Sequence, residues 1–193
     1  FTVSDDDLTF GDSHILTLGD GVATDGTFLI DGKTLKVVGK LNYEDERIKF
    51  IKVTATDLAG NILSKQFQIS VLDVNETPTD IYFENYEIVE NSNTNTLISE
   101  IFVTDVDEGD NFTFDFVSGV GDRDNSSFAI DGSRLVSNAV FDFELKSEYS
   151  VRIQATDDGG NVYSKAIAIY VTDDNDAPVD ISLSASKIIE NND

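Results

Sequence analysis

The stretch Asp73–Ile81, "DVNETPTDI", returns as "DDNDAPVDI" at Asp173–Ile181, exactly one hundred positions later. Sliding the whole chain by that distance without a gap keeps the register on both sides. "FLIDGKTL" from Phe28 falls on "FAIDGSRL" from Phe128, "LNYE" from Leu41 on "FDFE" from Phe141, and "ATDLAGN" from Ala55 on "ATDDGGN" from Ala155. Of the 193 − 100 = 93 comparable positions, about 28 are identical, so the chain is an internal repeat, and the repeat governs any reading of its fold.

Between these blocks run short segments rich in Val, Ile, Phe, Tyr and Thr with a period of two, the pattern of half-buried strands. "NFTFDFV" from Asn111 puts Phe112, Phe114 and Phe116 on one face, and "YSVRIQATD" puts Tyr149, Val151, Ile153 and Ala155 on one face. "IDGK", "IDGS", "DLAGN" and "DDGGN" supply turn residues that accept positive φ. No segment carries a helical stripe. The complete unit reads as about seven strands, near 80–89, 97–104, 112–117, 127–130, 134–137, 149–156 and 162–172. The expected class is all-β: tandem Greek-key seven-stranded β-sandwiches. Pro78 and Pro178 each stop a strand, because proline cannot donate to a ladder. That divides the chain into a partial repeat over 1–78 lacking its first strand and most of its second, a complete repeat over 79–178, and the first strand of a following repeat in 179–193.

Composition narrows the function. Acidic residues number 37 against 13 basic ones, a formal charge of −24, which argues against nucleic acid and anionic lipid as partners. The longest apolar run, Ala166–Val171, is far short of the roughly 20 residues of a membrane span. There is no cysteine, hence no thiolate metal site or cysteine nucleophile, and no methionine, which suggests a mature product or a piece of something longer. The single His14 is a poor candidate for a catalytic base. The "GVG" at Gly119 lacks a phosphate-loop pattern. "DVDEGDN" from Asp105 misplaces the glycine and the final glutamate of an EF-hand.

The acids collect in turns and linkers. Asp73, Asn75 and Glu76 form one group; Asp105, Asp107 and Asp157 a second; Asn42 and Glu44 a third. Turns at one end of a sandwich cluster, so a short linker would bring these groups together. Two unit charges about 4 Å apart repel by about 4 kcal/mol at an effective dielectric near 20, so such a cluster calls for a cation. Calcium, which takes six to eight oxygens, suits this donor set better than magnesium or zinc.

These motifs resemble the cadherin repeats, and in particular the cadherin-like repeats of large bacterial surface and secreted adhesins. "VEN" at Glu90 and "IEN" at Glu190, "LNYE" and "FDFE", "ATD" at Asp57 and Asp157, D-x-D at Asp5 and Asp105, and the linkers "DVNETP" and "DDNDAP" follow the family's order. The resemblance implies calcium at each module junction, held at the internal one by Asn42, Glu44, Asp73, Asn75, Glu76, Asp105, Asp107 and Asp157. At the next junction it implies Glu90, Asp142, Glu144, Asp173, Asn175 and Asp176, and on the upstream side Asp5, Asp7 and Asp57. The linker is one residue shorter than the animal motif, and Asn42 stands where the motif has aspartate.

The function expected is a non-enzymatic, calcium-binding extracellular module, secreted or cell-surface-anchored, that acts as a rigid spacer in calcium-dependent cell adhesion beside neighbouring repeats of the same chain. Direct binding of a glycan or a like module is the alternative, with Tyr82, Tyr86, Tyr163 and Tyr170 as candidate aromatics; the absence of tryptophan disfavours the pairing of classical cadherins. The segment 179–189 is expected to be an edge strand open to strand-swapped self-association. Glycosylation sequons stand at Asn75, Asn111 and Asn125.

Overall fold

The computed structural model describes residues 1–4, 13–19, 26–178, 180–184, 187 and 190. The chain divides into two compact units, Phe1–Glu76 and Thr77–Asp193.

In the second unit, β6 (Asp80–Phe83), β8 (Leu97–Thr104), β11 (Arg134–Ser137) and β10 (Phe128–Asp131) form an antiparallel sheet in the order β10-β11-β8-β6. The facing sheet has the order β7-β13-β12-β9, with β7 (Glu87–Val89), β13 (Val162–Thr172), β12 (Glu148–Thr156) and β9 (Thr113–Phe116). Here β7 runs parallel to β13 and the other pairs are antiparallel. Period-two alternation decides what lies between the sheets. Val151, Ile153 and Ala155 of β12 and Ile167, Ile169 and Val171 of β13 meet Ile81, Phe83, Ile98, Ile101, Phe128 and Leu135 from the other sheet. Phe141 fills the space beside Phe128 and Tyr149, with ring centroids 5.3 and 4.7 Å away.

One expectation changes. The sequence suggests a single strand over 80–89 and seven strands in all; the structure breaks it at Glu84–Tyr86 and has eight. The chain crosses there from one sheet to the other. The Asn85 amide fixes the crossing by donating to the carbonyls of Glu87 (2.8 Å) and Ile98 (2.9 Å), while Ser99 Oγ accepts the Glu84 N–H. Lys165 Nζ adds a second tie between the sheets, donating to Asp80 Oδ1 at 2.6 Å and to the Ile81 carbonyl at 2.9 Å.

The first unit repeats the last five of these strands. β1 (Ile15–Leu18), β4 (Ile48–Thr56) and β5 (Ile62–Ser70) form one sheet, and β2 (Phe28–Asp31) and β3 (Thr34–Val37) a hairpin. The pairing Thr56↔Ile62 reappears as Thr156↔Val162, so the hundred-residue shift holds in the ladder as it does in the sequence. The β2–β3 loop opens on Gly32 at φ 60°, the conformation a tight two-residue hairpin asks of its first residue. Leu16, Phe28, Ile51, Val53 and Ala55 form the core.

The strand expected within 179–193 is not formed among the described residues 180–184, 187 and 190; the rest of that stretch lies outside them. Ile181 and Leu183 are 94% and 86% exposed, whereas Ile81 and Phe83 at the corresponding places are buried. The physical reason is pairing: β6 is held by its ladder with β8, and no described strand pairs with residues 180–184.

Phe141 is only 1% exposed at the centre of the second core. Phe141→Ala is expected to destabilise that unit by about 3–5 kcal/mol, the usual cost of a large buried aromatic truncated to alanine. Hydrogen exchange at the β12 and β13 amides checks this without interference from the first unit.

Candidate functional site

Glu90 follows β7 and is 2% exposed, an unusual place for a carboxylate. Its burial is compensated by backbone donors. Oε2 accepts the Phe143 N–H and Oε1 accepts the Asp174 N–H, both at 2.8 Å, and its own N–H donates to the Thr172 carbonyl. The N–H groups of Phe143 and Asp174, in that order, hold its carboxyl below the usual range against the opposing effect of desolvation. The same two bonds draw the "FDFE" turn and the linker after β13 to one point. Carboxylate oxygens of Glu90, Asp142 and Glu144 lie within 4.8 Å of one another. Glu144's own backbone N–H lowers its pKa, but desolvation and the charges of Glu90, Asp173 and Asp176 more than reverse this and leave it raised. Asn91, in the left-handed region at φ 57°, donates from Nδ2 to Asp176 Oδ1 at 3.0 Å. Asn175 Nδ2 donates to the Asp176 carbonyl. Asp142, Glu144, Asp173 and Asp176 are thus gathered around Glu90.

A second cluster sits in the loop after β8. The Asp107 N–H donates to Asp105 Oδ1, and Gly109, at φ 98°, turns the chain so that Asp110 comes back toward both. Carboxylate oxygens of Asp105, Asp107 and Asp110 lie within 4.8 Å of one another. Asp105 Oδ2 and Asp110 Oδ2 are shielded from solvent and have no hydrogen-bond donor among the described residues. Burial of anionic oxygens in that condition is costly unless something positive compensates. Asp110 shows the strain: desolvation first, then the charges of Asp107, Asp105, Asp157 and Asp158, push its pKa up. Asp157, at the end of β12, is 6% exposed and accepts the Asn161 N–H on Oδ1 at 2.7 Å. Asp158 Oδ2 accepts from both the backbone and the side chain of Asn111.

In the first unit, Glu44, Asp73 and Glu76 bring carboxylate oxygens within 4.8 Å of one another. The Asn42 carbonyl accepts the Glu46 N–H, closing the turn that carries Glu44, and Asn75 Nδ2 donates to the Glu76 carbonyl. Asp57 accepts the side-chain and backbone N–H groups of Asn61, both at 2.7 Å, and the side-chain bond contributes most to holding its carboxyl below the usual range. Its expected companions Asp5 and Asp7 lie outside the described residues.

Asp110 and Asp158 were absent from the expected ligands. The signal for Asp110 was present in "DVDEGDN", where a glycine directly precedes a third aspartate; a D-x-D pattern alone does not reveal that the turn folds back. Tyr86 and Tyr170 share a shallow groove with Lys165, Ala166 and Ala168, while Tyr82 stacks on Phe102 and Tyr163 packs against the core. The four tyrosines therefore do not form one aromatic face. Among the described residues no helix is long and apolar enough to cross a membrane.

No protein-family model matches the chain. Curated relatives do. Human Protocadherin-23 (Homo sapiens) is 34% identical over 196 residues, covering 93% of this chain and 6% of the relative. The Fat-like cadherin-related tumor suppressor homolog of Drosophila melanogaster is 28% identical, covering 91% of this chain and 4% of the relative. The chain thus spans a small part of the relatives it matches. Among solved structures, the Protocadherin gammaB7 cis-dimer structure matches with a TM-score of 0.59 at 27% identity, over 85% of this chain and 41% of that one. Human Protocadherin-24 matches with a TM-score of 0.62 at 19% identity, over 83% of each chain, which speaks for the fold alone. The β-sandwich expected from the sequence is the one observed, with cadherin-domain structures as its neighbours. The narrower likeness to bacterial adhesins is corrected: these relatives are animal cadherins.

The raised pKa of Asp110 has a defined sign. Its charged form is disfavoured in the folded state, so the ion-free fold loses stability as pH rises through the raised value. In chelator at pH 7, Asp110→Asn is expected to unfold at a higher denaturant concentration than the parent. The gap should close as pH falls below 3.8, the ordinary aspartate value. Paired urea titrations across pH check both statements.

Proposed function

The chain being homologous to the extracellular cadherin repeats of protocadherins, we propose that it is a non-enzymatic, calcium-binding tandem module of an extracellular protein, a spacer that the ion stiffens and that contributes to cell adhesion. The observation that carries this reading is the pair of shielded, donorless oxygens Asp105 Oδ2 and Asp110 Oδ2, in a cluster whose charges act on one another. A cation there supplies the positive charge the cluster needs. The donors at hand are carboxylates, amide oxygens and backbone carbonyls, which is the hard oxygen set calcium takes. One histidine and no cysteine leave little for zinc.

In this reading Asn42, Glu44, Asp73, Asn75 and Glu76 from the first unit and Asp105, Asp107 and Asp157 from the second serve the junction between them. Glu90, Asp142, Glu144, Asp173, Asn175 and Asp176 serve the following junction, and Asp57 with Asp5 and Asp7 the preceding one. The role of each protein group is to hold and orient. The backbone N–H groups on Glu90 fix its carboxylate in place, and the Asn61 and Asn161 groups do the same for Asp57 and Asp157. Homology to extracellular cadherin repeats supports placement outside the cell, secreted or anchored.

Direct adhesion by these modules is the second reading, with a like module or a glycan as ligand. The groove lined by Tyr86 and Tyr170 favours it, and so does the exposure of Ile181 and Leu183, whose counterparts are buried, since a like module could accept that segment as a strand. Sedimentation that finds only monomer with calcium present would remove the like-module form.

Calorimetric calcium titration tests the leading reading. The parent chain is expected to take up calcium, and the double variant Asp105→Ala, Asp107→Ala to lose the uptake that depends on the second unit's cluster. A parent that takes up none would leave an acidic sandwich with no ion function.

A further inference from the structure

We propose that Asn111 is an acceptor of an N-linked oligosaccharide, and that a sugar on Asn125 is incompatible with the folded, secreted chain. The proposal rests on the extracellular placement above; Asn111 itself is not assigned to calcium in that reading, although it follows Asp110 and its partner Asp158 faces the same cluster. Asn111, Phe112 and Thr113 form one sequon and Asn125, Ser126 and Ser127 another. Their surroundings differ.

Asn111 is exposed in the turn that leads into β9, and Thr113 is the exposed first residue of that strand. The Asn111 side-chain nitrogen carries two hydrogens, and one is donated to Asp158 Oδ2 at 2.9 Å. Transfer consumes only one. The anomeric C–O bond of a lipid-diphosphate-linked oligosaccharide breaks, a C–N bond forms to Asn111 Nδ2, and the displaced amide proton leaves with the lipid diphosphate. The remaining N–H keeps its bond to Asp158.

Asn125 is half-buried and committed at both ends. Its Oδ1 accepts the Arg152 N–H at 2.8 Å, and its Nδ2 donates to the Val117 carbonyl at 3.2 Å. These bonds pin the loop after β9 to β12. Transfer in the secretory lumen precedes folding, so a sugar on Asn125 would have to be accommodated while this loop docks, at the expense of those bonds. A sugar on Asn111 meets no such obstacle. It would also shield β9, which among the described residues pairs only with β12 and leaves its other edge open.

The test is secretion of the full chain from a human cell line behind a signal peptide. Glycans are then released enzymatically in heavy-oxygen water, which marks each formerly occupied asparagine as a labelled aspartate for peptide mass analysis. The expected result is a mark at Asn111 and none at Asn125, with the Asn111 mark lost in Thr113→Ala and kept in Thr113→Ser. Both substitutions leave Asn111 and its bond to Asp158 in place, so a change cannot be ascribed to loss of that contact. A secreted chain unmarked at Asn111, or marked at Asn125, would overturn the proposal. Neither outcome touches the calcium reading, which is tested on chain made without glycosylation.

Discussion

Everything distinctive about this chain depends on like charges being held together by backbone. Asp105, Asp107 and Asp110 converge because a glycine turn and an aspartate-capped turn leave them little choice, and Glu90 is buried because two N–H groups receive it. The local geometry, set by hydrogen bonds, therefore decides the electrostatics. The clusters sit in loops beyond the strand ends, away from the apolar layer between the sheets, so the core does not depend on any ion for its packing. In the proposed reading, that separation lets an ion act on the junctions without controlling the fold.

The formal charge of −24 takes on a different meaning in this light. Scattered over a surface it would chiefly keep the chain soluble. Concentrated at repeating places in the turns, part of it forms clusters whose carboxylates act on one another. The opposed shifts at Glu90 and Glu144 make the point within one cluster: the carboxylate that receives backbone donors is at ease, and its neighbour, facing the charges of Glu90, Asp173 and Asp176, is not.

Much of this was legible in the sequence because a hundred-residue repeat shows every motif twice. The β12–β13 ladder and its counterpart β4–β5 follow directly from apolar alternation and the "ATD…GN" turns. The break at Glu84–Tyr86 was missed because strand-forming residues stand on both sides of it; its signal is a change of phase, with buried Ile81 and Phe83 at odd positions and buried Ile88 at an even one across the polar pair Glu84–Asn85, and the tertiary bonds of the Asn85 amide make the change of sheet. Asp110 was missed for a related reason: its part in the cluster comes from a positive φ at Gly109, which spacing alone does not fix. The segment holding Ile181 and Leu183 has the composition of a strand but no strand partner among the described residues. Composition proposes a strand; pairing decides it.

In the proposed reading, calcium stiffens the connection between units that are folded with or without it. Small-angle X-ray scattering of this chain in calcium and in chelator, with circular dichroism on the same samples, tests it most directly. The expected result is unchanged strand content and a scattering profile that shifts from that of a rigid particle in calcium to that of a flexible one in chelator. Superimposable profiles in the two conditions would contradict it.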